Sequence, residues 1–205
     1  MKKIIIQFSV FFLLLATNVY SQEKESGGVH WGVKAGINIA NVSIKSSGLS
    51  ISASSLIAPT GGLFATIPVG RGGFQIQPEL LYSALGFKYK DAAFNIDYTA
   101  NYNYLVLPVL FKYAIESSGF AAYAGPQLGY LLSAKDKMGA TTTDVKADVK
   151  STDLAGIVGL EYTFPMGINI SSRYQLGFSN DAKNTSSGES AKLNAITFTL
   201  GYRFK

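Results

Sequence analysis

The chain has 205 residues, a formal net charge of +5, 47% hydrophobic residues and only 15% charged residues. It contains 21 glycines and no cysteine, which excludes a disulfide framework and a thiolate metal site. It has no block of lysine and arginine and no basic aromatic patch, so nucleic acid is not an expected partner. The length fits one domain, and the glycine and aromatic content favours an all-β chain.

Residues 1–21 have the pattern of a secretory signal peptide. Two lysines precede the apolar run from Ile4 to Ala16, and the small residue Ser21 follows. The run is too short to span a bilayer as a helix. We therefore predict an exported protein that is cleaved after Ser21, which leaves residues 22–205 as the mature domain.

The rest of the chain resolves into eight segments in which apolar and polar residues alternate. A period of two is typical of a strand with one apolar and one polar face. Most segments reach the roughly 9–11 residues that a tilted strand needs to cross a membrane. The predicted strands are residues 30–41, 56–68, 73–87, 98–115, 120–132, 152–164, 168–178 and 192–204.

The connections between these segments alternate in length. The second, fourth and sixth are short turns, marked by "VGRGG", "ESS" and "PMG", whereas the first, third, fifth and seventh are long and polar. In an up-and-down barrel with both termini on one side, the even-numbered connections share that side. Transmembrane barrels place short turns in the periplasm and long loops outside. The sequence thus predicts an all-β fold, an eight-stranded antiparallel up-and-down transmembrane β-barrel.

The apolar face of each strand is expected to meet lipid. In the last segment Ile196, Phe198 and Leu200 alternate with Thr197 and Thr199. A soluble barrel would expose the polar face and coat it with long charged side chains, but this chain has too few charges for such a coat. The polar face is therefore assigned to the lumen, and tyrosine and tryptophan near segment ends suit an interfacial girdle.

Alternation places six charged residues on the lumen face. Isolated buried charges are costly, so we expect these residues to pair. We interpret them as a salt-bridge network that plugs the barrel, and a gated ion path is the alternative. The residues are Lys34, Glu79, Lys112, Glu161, Arg173 and Arg203.

The fourth segment interrupts the alternation. Tyr102 and Tyr104 occupy even positions, whereas the apolar face continues on odd positions from Leu105 onwards. A β-bulge near Tyr104 or Leu105 would reset the phase.

The polar segment 133–151 carries alternating lysine and aspartate. One interpretation is a solvated or strand-extending hairpin. The other is a surface for partner proteins or for lipopolysaccharide phosphates, which lysine engages as a point charge.

His30 is the only histidine, which excludes a site with several histidine ligands. A lipid-processing enzyme embedded in the barrel could combine a serine, a histidine and an acid. His30 begins the first strand, however, and the spacing implies no serine neighbour. We therefore expect no catalytic residue, no cofactor and no metal, with His30 as an interfacial residue beside Trp31.

Five segments together form a recognisable pattern. They are "WGVKAGINIANVS" (31–43), "FQIQPELLYSALGFKY" (74–89), "YLVLPVLFKY" (104–113), "YAGPQLGYLL" (123–132) and "LGYRF" (200–204). With them the chain resembles the PorT-like outer-membrane β-barrel proteins of Bacteroidetes-type bacteria over essentially its mature length. The resemblance implies location in the outer membrane and insertion by the barrel-assembly machinery. It also implies that Gly201, Tyr202 and Phe204 resemble the insertion signal which that machinery reads.

The expected function is that of a non-enzymatic integral outer-membrane barrel with a structural or interaction role through its long extracellular loops. Its partners would be outer-membrane lipid, the barrel-assembly machinery and other envelope proteins. Because the PorT-like family includes a component linked to protein secretion and gliding, association with a secretion machine is a finer hypothesis. The alternatives are a small ion channel, a barrel-embedded lipid-processing enzyme and a soluble ligand-binding barrel.

Overall fold

The computed structural model describes residues 28–46, 49–52, 54–70, 72–91, 96–115, 118–139, 141–178 and 190–204. The signal peptide predicted at residues 1–21 lies outside these ranges. Within them, no helix is long and apolar enough to cross a membrane. The strands are β1 (His30–Ser46), β2 (Leu49–Ser52), β3 (Ser54–Pro68), β4 (Phe74–Asp91), β5 (Ile96–Ala114), β6 (Phe120–Met138), β7 (Thr141–Asp144), β8 (Thr152–Thr163), β9 (Ile168–Gly177) and β10 (Ser190–Arg203).

Eight of the described strands close into one antiparallel barrel. Its order is β1, β3, β4, β5, β6, β8, β9 and β10, and β10 pairs again with β1. Closure pairs the backbone of every wall strand on both sides, which a sheet surrounded by hydrocarbon requires. The predicted eight-stranded antiparallel barrel is confirmed. The two short strands are additions, since β2 pairs with β1 and β7 pairs with β6 in segments that were predicted as loops.

The short connections lie together at one end of the barrel, as the alternation of lengths predicted. They join β3 to β4, β5 to β6 and β8 to β9, and they contain Gly70, Gly119 and Gly167 at φ of 70°, 76° and 93°. Glycine adopts these positive φ values without steric cost. The start of β1 also lies here, since Gly32 pairs with Arg203 of β10. We call this end the turn end and the opposite end the loop end.

Several strands continue past the length that a membrane requires. β4, β5 and β6 have 18, 19 and 19 residues, against roughly 9–11 for a tilted membrane strand. Part of the predicted polar loop 133–151 is therefore strand, in agreement with its strand-extending interpretation. We use the term loop-end extension for residues 84–91 of β4, 96–103 of β5, 133–138 of β6, and β7.

The apolar strand faces point outward, as predicted for a barrel in lipid. Ile196, Phe198 and Leu200 are 43%, 46% and 60% exposed, whereas Arg173 and Glu79 are 4% and 3% exposed. A soluble barrel would have the reverse arrangement. Aromatic side chains gather at the turn end, where ring contacts join Phe74 with Tyr113, Phe120 with Tyr162, Tyr162 with Phe164, and Tyr202 with Phe204.

The predicted irregularity near Tyr104 exists, but the extra residue lies on the neighbouring strand. Asn103 pairs with Ser133 and Tyr104 pairs with Leu131, so Leu132 of β6 has no partner on β5. The inward face of β6 changes phase at this point, whereas Tyr104 keeps the phase of β5 and points inward. The predicted phase change within the fourth segment was therefore wrong, because a buried aromatic residue had been assigned to the lipid face.

Candidate functional site: the filled lumen

A three-residue ion cluster lies in the turn-end half of the lumen. Arg173 of β9 donates from Nη1 to Glu79 Oε2 of β4 at 2.9 Å, and Lys34 of β1 donates from Nζ to Glu79 Oε1 at 2.6 Å. The three side chains are at most 4% exposed. The Glu79 carboxylate thus binds cations from two other strands, with one oxygen accepting from Lys34 and the other from Arg173.

A second ion pair joins Lys112 of β5 to Glu161 of β8. Gln77 connects it to the first cluster, because its Oε1 accepts from Lys112 Nζ at 3.2 Å and its Nε2 donates to Glu79 Oε1 at 2.8 Å. Thr66 Oγ1 also donates to Gln77 Oε1, at 3.1 Å. The two ion groups therefore form one network with three cations and two carboxylates.

The structure brings together five of the six predicted lumen charges. Arg203, the sixth, is half-buried at the end of β10 and forms no ion pair with a described carboxylate. It lies near the rim at the turn end. Alternation predicted the polar face of Arg203. It does not predict how deep a side chain lies in the lumen, because that depends on where the strand ends.

Sequence reasoning did not assign Gln77 and Phe64 to the network. Gln77 was recognisable, because it precedes Glu79 by two residues and so shares its face. Phe64 was not, because aromatic residues were expected on the lipid side. Its ring centroid lies 4.8 Å from Lys34 Nζ, in a cation–π contact. A Cβ on Gly32 would lie 2.2 Å from this ring, so the ring needs glycine at position 32.

On the loop-end side of the ion network, a group of hydrogen bonds lies along one side of the lumen. Asn38 of β1 donates from Nδ2 to Ser83 Oγ at 2.9 Å and to the carbonyl oxygen of Ala84 at 2.8 Å. Its Oδ1 accepts from Thr197 Oγ1 at 2.8 Å. The three buried polar side chains thereby satisfy one another, and the group links β1 to β4 and β10.

The loop-end half of the lumen contains a large apolar cluster beside buried polar side chains such as Gln127, Gln175 and Asp153, whereas the sequence predicted a polar interior. Leu81, Tyr104 and Leu131 are at most 1% exposed there. They belong to one buried cluster, whose members are Ala40, Leu81, Leu85, Tyr104, Val106, Leu131, Ala134, Val149 and Ala195. The predicted polar interior is therefore right in part, because leucines of β4 and β6 occupy inward positions further along these strands.

Val149 reaches this cluster from the connection between β7 and β8. The connection is fixed to β6 by backbone bonds from Leu131 N to Ser151 O at 2.9 Å and from Val145 N to Ala134 O at 3.1 Å. Lys146 Nζ also donates to Leu132 O at 2.7 Å. The segment therefore folds back onto the barrel at the loop end, where Val149 packs into the apolar cluster.

The predicted insertion signal lies on the outer wall at the turn end. Tyr202 and Phe204 are 41% and 46% exposed, and their ring centroids are 5.5 Å apart. Phe204 N donates to Trp31 O at 2.7 Å, which fastens the end of the chain to the first strand. Gly201 is buried, and a Cβ there would lie 2.5 Å from Asn169 Oδ1.

His30 lies at the turn end, half-buried and opposite Thr66 of β3. Within the described part of the chain, no three His, Cys, Asp or Glu side chains are grouped so that they could hold a metal ion. The arrangement at the lumen is thus one of ion pairs, amides and apolar packing.

Comparison with solved structures shows the same fold in small barrels of other bacteria. Neisserial surface protein A is 12% identical with a TM-score of 0.56, and the match covers 87% of this chain and 100% of that one. Ail, the attachment invasion locus protein of Yersinia pestis, is 16% identical with a TM-score of 0.50, covering 85% and 98%. At these identities the likeness concerns the fold alone.

A comparison with curated protein sequences found no match. The family model described as an outer membrane protein beta-barrel domain matches residues 20–182, which is most of the chain and includes the strands that carry the lumen network. Together with the closed eight-stranded wall and its apolar outer face, this match shows that the chain belongs to the outer membrane protein beta-barrel domain family.

Proposed function

We propose that this protein is a sealed, non-enzymatic outer-membrane barrel that holds the loop-end extension at the cell surface for contact with other envelope components. The observation that carries the proposal is that side chains occupy the lumen at two levels. The ion network lies in the turn-end half, and the apolar cluster with Val149 lies in the loop-end half. A barrel closed at two levels has its accessible surface outside, on the wall and on the extension.

The length of the extension supports an interaction role. The surplus residues of β4, β5 and β6 project on the order of 20 Å beyond the part of the wall that lipid covers. In transmembrane barrels the end with longer connections faces outward from the cell. The extension is then a small extracellular sheet to which β7 adds an edge strand, Thr141–Asp144, with exposed side chains.

Bilayer recordings test the sealed lumen. The refolded protein is expected to show no conductance steps in planar bilayers. Single substitutions Glu79→Gln and Arg173→Gln are also expected to remain silent, because the apolar cluster still closes the loop-end half. Conductance steps in the unmodified protein would contradict the proposal and favour the small ion channel, the main alternative.

The interaction role has its own test. A photo-crosslinking side chain placed at exposed Thr143 of β7, within the loop-end extension, is expected to capture an envelope protein in the native membrane. The same crosslinker at Val158 on the lipid-facing wall serves as the matched control and is expected to capture lipid only. Equal protein capture at both positions would show that the extension is not the interaction surface.

Two finer parts of the proposal rest on the sequence alone. Association with a secretion machine is supported by the resemblance to PorT-like proteins, and the crosslinked partner would identify it. Cleavage of residues 1–21 is supported by the pattern of the N-terminus, and Edman sequencing of protein from the outer membrane would check it by starting at Gln22.

The rival lipid-processing enzyme predicts that His30→Ala abolishes a lipid modification, which a sealed interaction barrel would not carry out.

A further inference from the structure

A groove of about 420 Å³ opens on the outer wall where the loop-end extension begins. Exposed apolar residues of β3, Ile57 and Pro59, line one side. The other side is polar and comes from β5, β6 and β7. Its lining residues are Asn101, Asn103, Lys135, Lys137 and Thr142. The groove is therefore amphiphilic, with an apolar wall facing a wall of amides and cations.

The groove lies at the upper border of the lipid-facing band. Tyr82, which is 42% exposed, lines its lower end and donates from its hydroxyl to Asn103 Oδ1 at 2.9 Å. Beside it on the neighbouring strands lie its cross-strand partners Leu105 and Tyr130, both exposed apolar residues of the wall. A tyrosine with an apolar ring and a bonded hydroxyl suits the boundary between acyl chains and headgroups. The groove thus lies at the depth of lipid headgroups.

The extra residue Leu132 determines which side of the wall each charge of β6 faces. Because the phase changes there, Lys135 and Lys137 point outward into the groove, whereas Asp136 points inward. Asp136 Oδ2 accepts from Tyr98 OH at 2.5 Å. Burial raises the pKa of Tyr98, and this hydrogen bond raises it further, so the phenol stays protonated and remains a donor to Asp136.

The outer face keeps a surplus of positive charge. Lys88 of β4 is exposed on this face, since it pairs with Thr99, which in turn pairs with Lys137. Asp144 of β7 is the cross-strand neighbour of Lys135, and its Oδ1 accepts from Lys146 N at 2.9 Å. Among the described side chains, no carboxylate lies within ion-pair distance of Lys135 or Lys137.

From this placement we propose that the groove binds the phosphorylated sugar headgroup of an outer-leaflet glycolipid of the lipid A class. Lys135 and Lys137 contact a phosphate, Asn101 and Asn103 offer hydrogen bonds to the sugar, and Ile57 and Pro59 pack against the first part of an acyl chain. The combination of phosphate, sugar and acyl chain matches the three chemical surfaces that meet here. This site goes beyond the proposed function, because it concerns the wall at lipid depth rather than a protein partner.

The test uses the refolded mature chain in detergent micelles, titrated with bisphosphorylated lipid A and, separately, with the same lipid after removal of its phosphates. Native mass spectrometry counts bound lipids and gives the affinity. The protein is expected to prefer the phosphorylated lipid. The double variant Lys135→Gln, Lys137→Gln is expected to lose about tenfold in affinity for it, because charge-assisted hydrogen bonds to phosphate are removed.

The matched control is Lys150→Gln, which removes one exposed cation outside the groove and is expected to change the affinity by less than about twofold. Heat-modifiable migration checks that each variant is folded. Unchanged affinity in the double variant, an equal loss in Lys150→Gln, or equal binding of the dephosphorylated lipid would each overturn the proposal. Full displacement of the lipid by excess inorganic phosphate would also overturn it, since the site would then bind simple anions rather than a glycolipid.

Discussion

Arg173 and Glu79 form an ion pair across the diameter of the barrel. β9 and β4 are four strands apart in either direction around the wall, yet the guanidinium Nη1 lies 2.9 Å from the carboxylate Oε2. Glu79 also holds Lys34, so it is the single carboxylate for two buried cations. The pair therefore connects opposite walls, which neighbouring strands cannot do through their backbone bonds.

Replacing Glu79 is expected to destabilise the barrel strongly. Glu79→Gln leaves Lys34 and Arg173 buried without an anion, and breaking a buried pair on one side costs about 3–5 kcal/mol. Urea unfolding of the refolded protein in lipid measures the change. Lys88→Gln on the same strand removes an exposed charge and should alter the free energy of unfolding by less than about 0.5 kcal/mol. Similar losses in both variants would show that the lumen network does not contribute as described.

The apolar cluster is expected to contribute as a packed core does. Leu81 is completely buried in the lumen, so Leu81→Ala should cost about 2–5 kcal/mol through lost burial and a remaining cavity. Its neighbour Leu80 points outward and is 43% exposed. Leu80→Ala should therefore cost clearly less in the same urea titration, and a larger loss at Leu80 than at Leu81 would contradict the assignment of the two faces.

Depth in the membrane is expected to determine the cost of a charge on the outer wall. Val158, near the middle of β8, is 51% exposed, and Val158→Arg should cost about 2–4 kcal/mol because the charge meets hydrocarbon. Met138, at the end of β6 in the loop-end extension, is 61% exposed. Met138→Arg should cost about 0–1 kcal/mol, since the charge meets water. Unfolding in lipid vesicles compares them, and equal small costs would mean that lipid does not surround β8.

The predicted insertion signal is expected to act on assembly rather than on stability. Phe204→Ala should lower the fraction of protein that migrates as a folded barrel in outer-membrane extracts, because the assembly machinery then reads a weaker signal. The side chain is 46% exposed on the lipid-facing wall. The same variant refolded in vitro should unfold within about 1 kcal/mol of the unmodified protein. A large loss of stability in vitro, with an unchanged folded fraction in cells, would reverse this interpretation.

Alternation in the sequence was enough to predict the barrel, its strand number and its lipid face. Ile196, Phe198 and Leu200 point outward. One face of a membrane-spanning strand contacts lipid and the other faces the lumen, so apolar and polar residues alternate along the strand. The lengths of the strands were not predictable in the same way. Beyond the membrane the outer face meets water rather than lipid, and polar residues such as those of segment 133–151 then suit a strand as well as a loop.

The candidate site was predictable in part. The charges of the network were found because lysine, arginine and glutamate stand out among apolar neighbours. The apolar cluster was missed because Leu81 and Tyr104 resemble lipid-facing residues, and only the closed wall shows that they point inward. The position of the extra residue on β6 was missed for a related reason, since a register shift belongs to a pair of strands and the alternation within the fourth segment does not show which strand carries it.

Leu132 has a practical consequence for protein engineering. Its unpaired position divides β6 into two parts whose outward residues obey different substitution rules, because hydrocarbon surrounds the first part and the second belongs to the loop-end extension. Foreign epitopes or binding peptides grafted beyond it, between Met138 and Thr141, would leave the bilayer-spanning pattern untouched. The barrel can thus serve as a display scaffold whose cargo and anchor are modified independently.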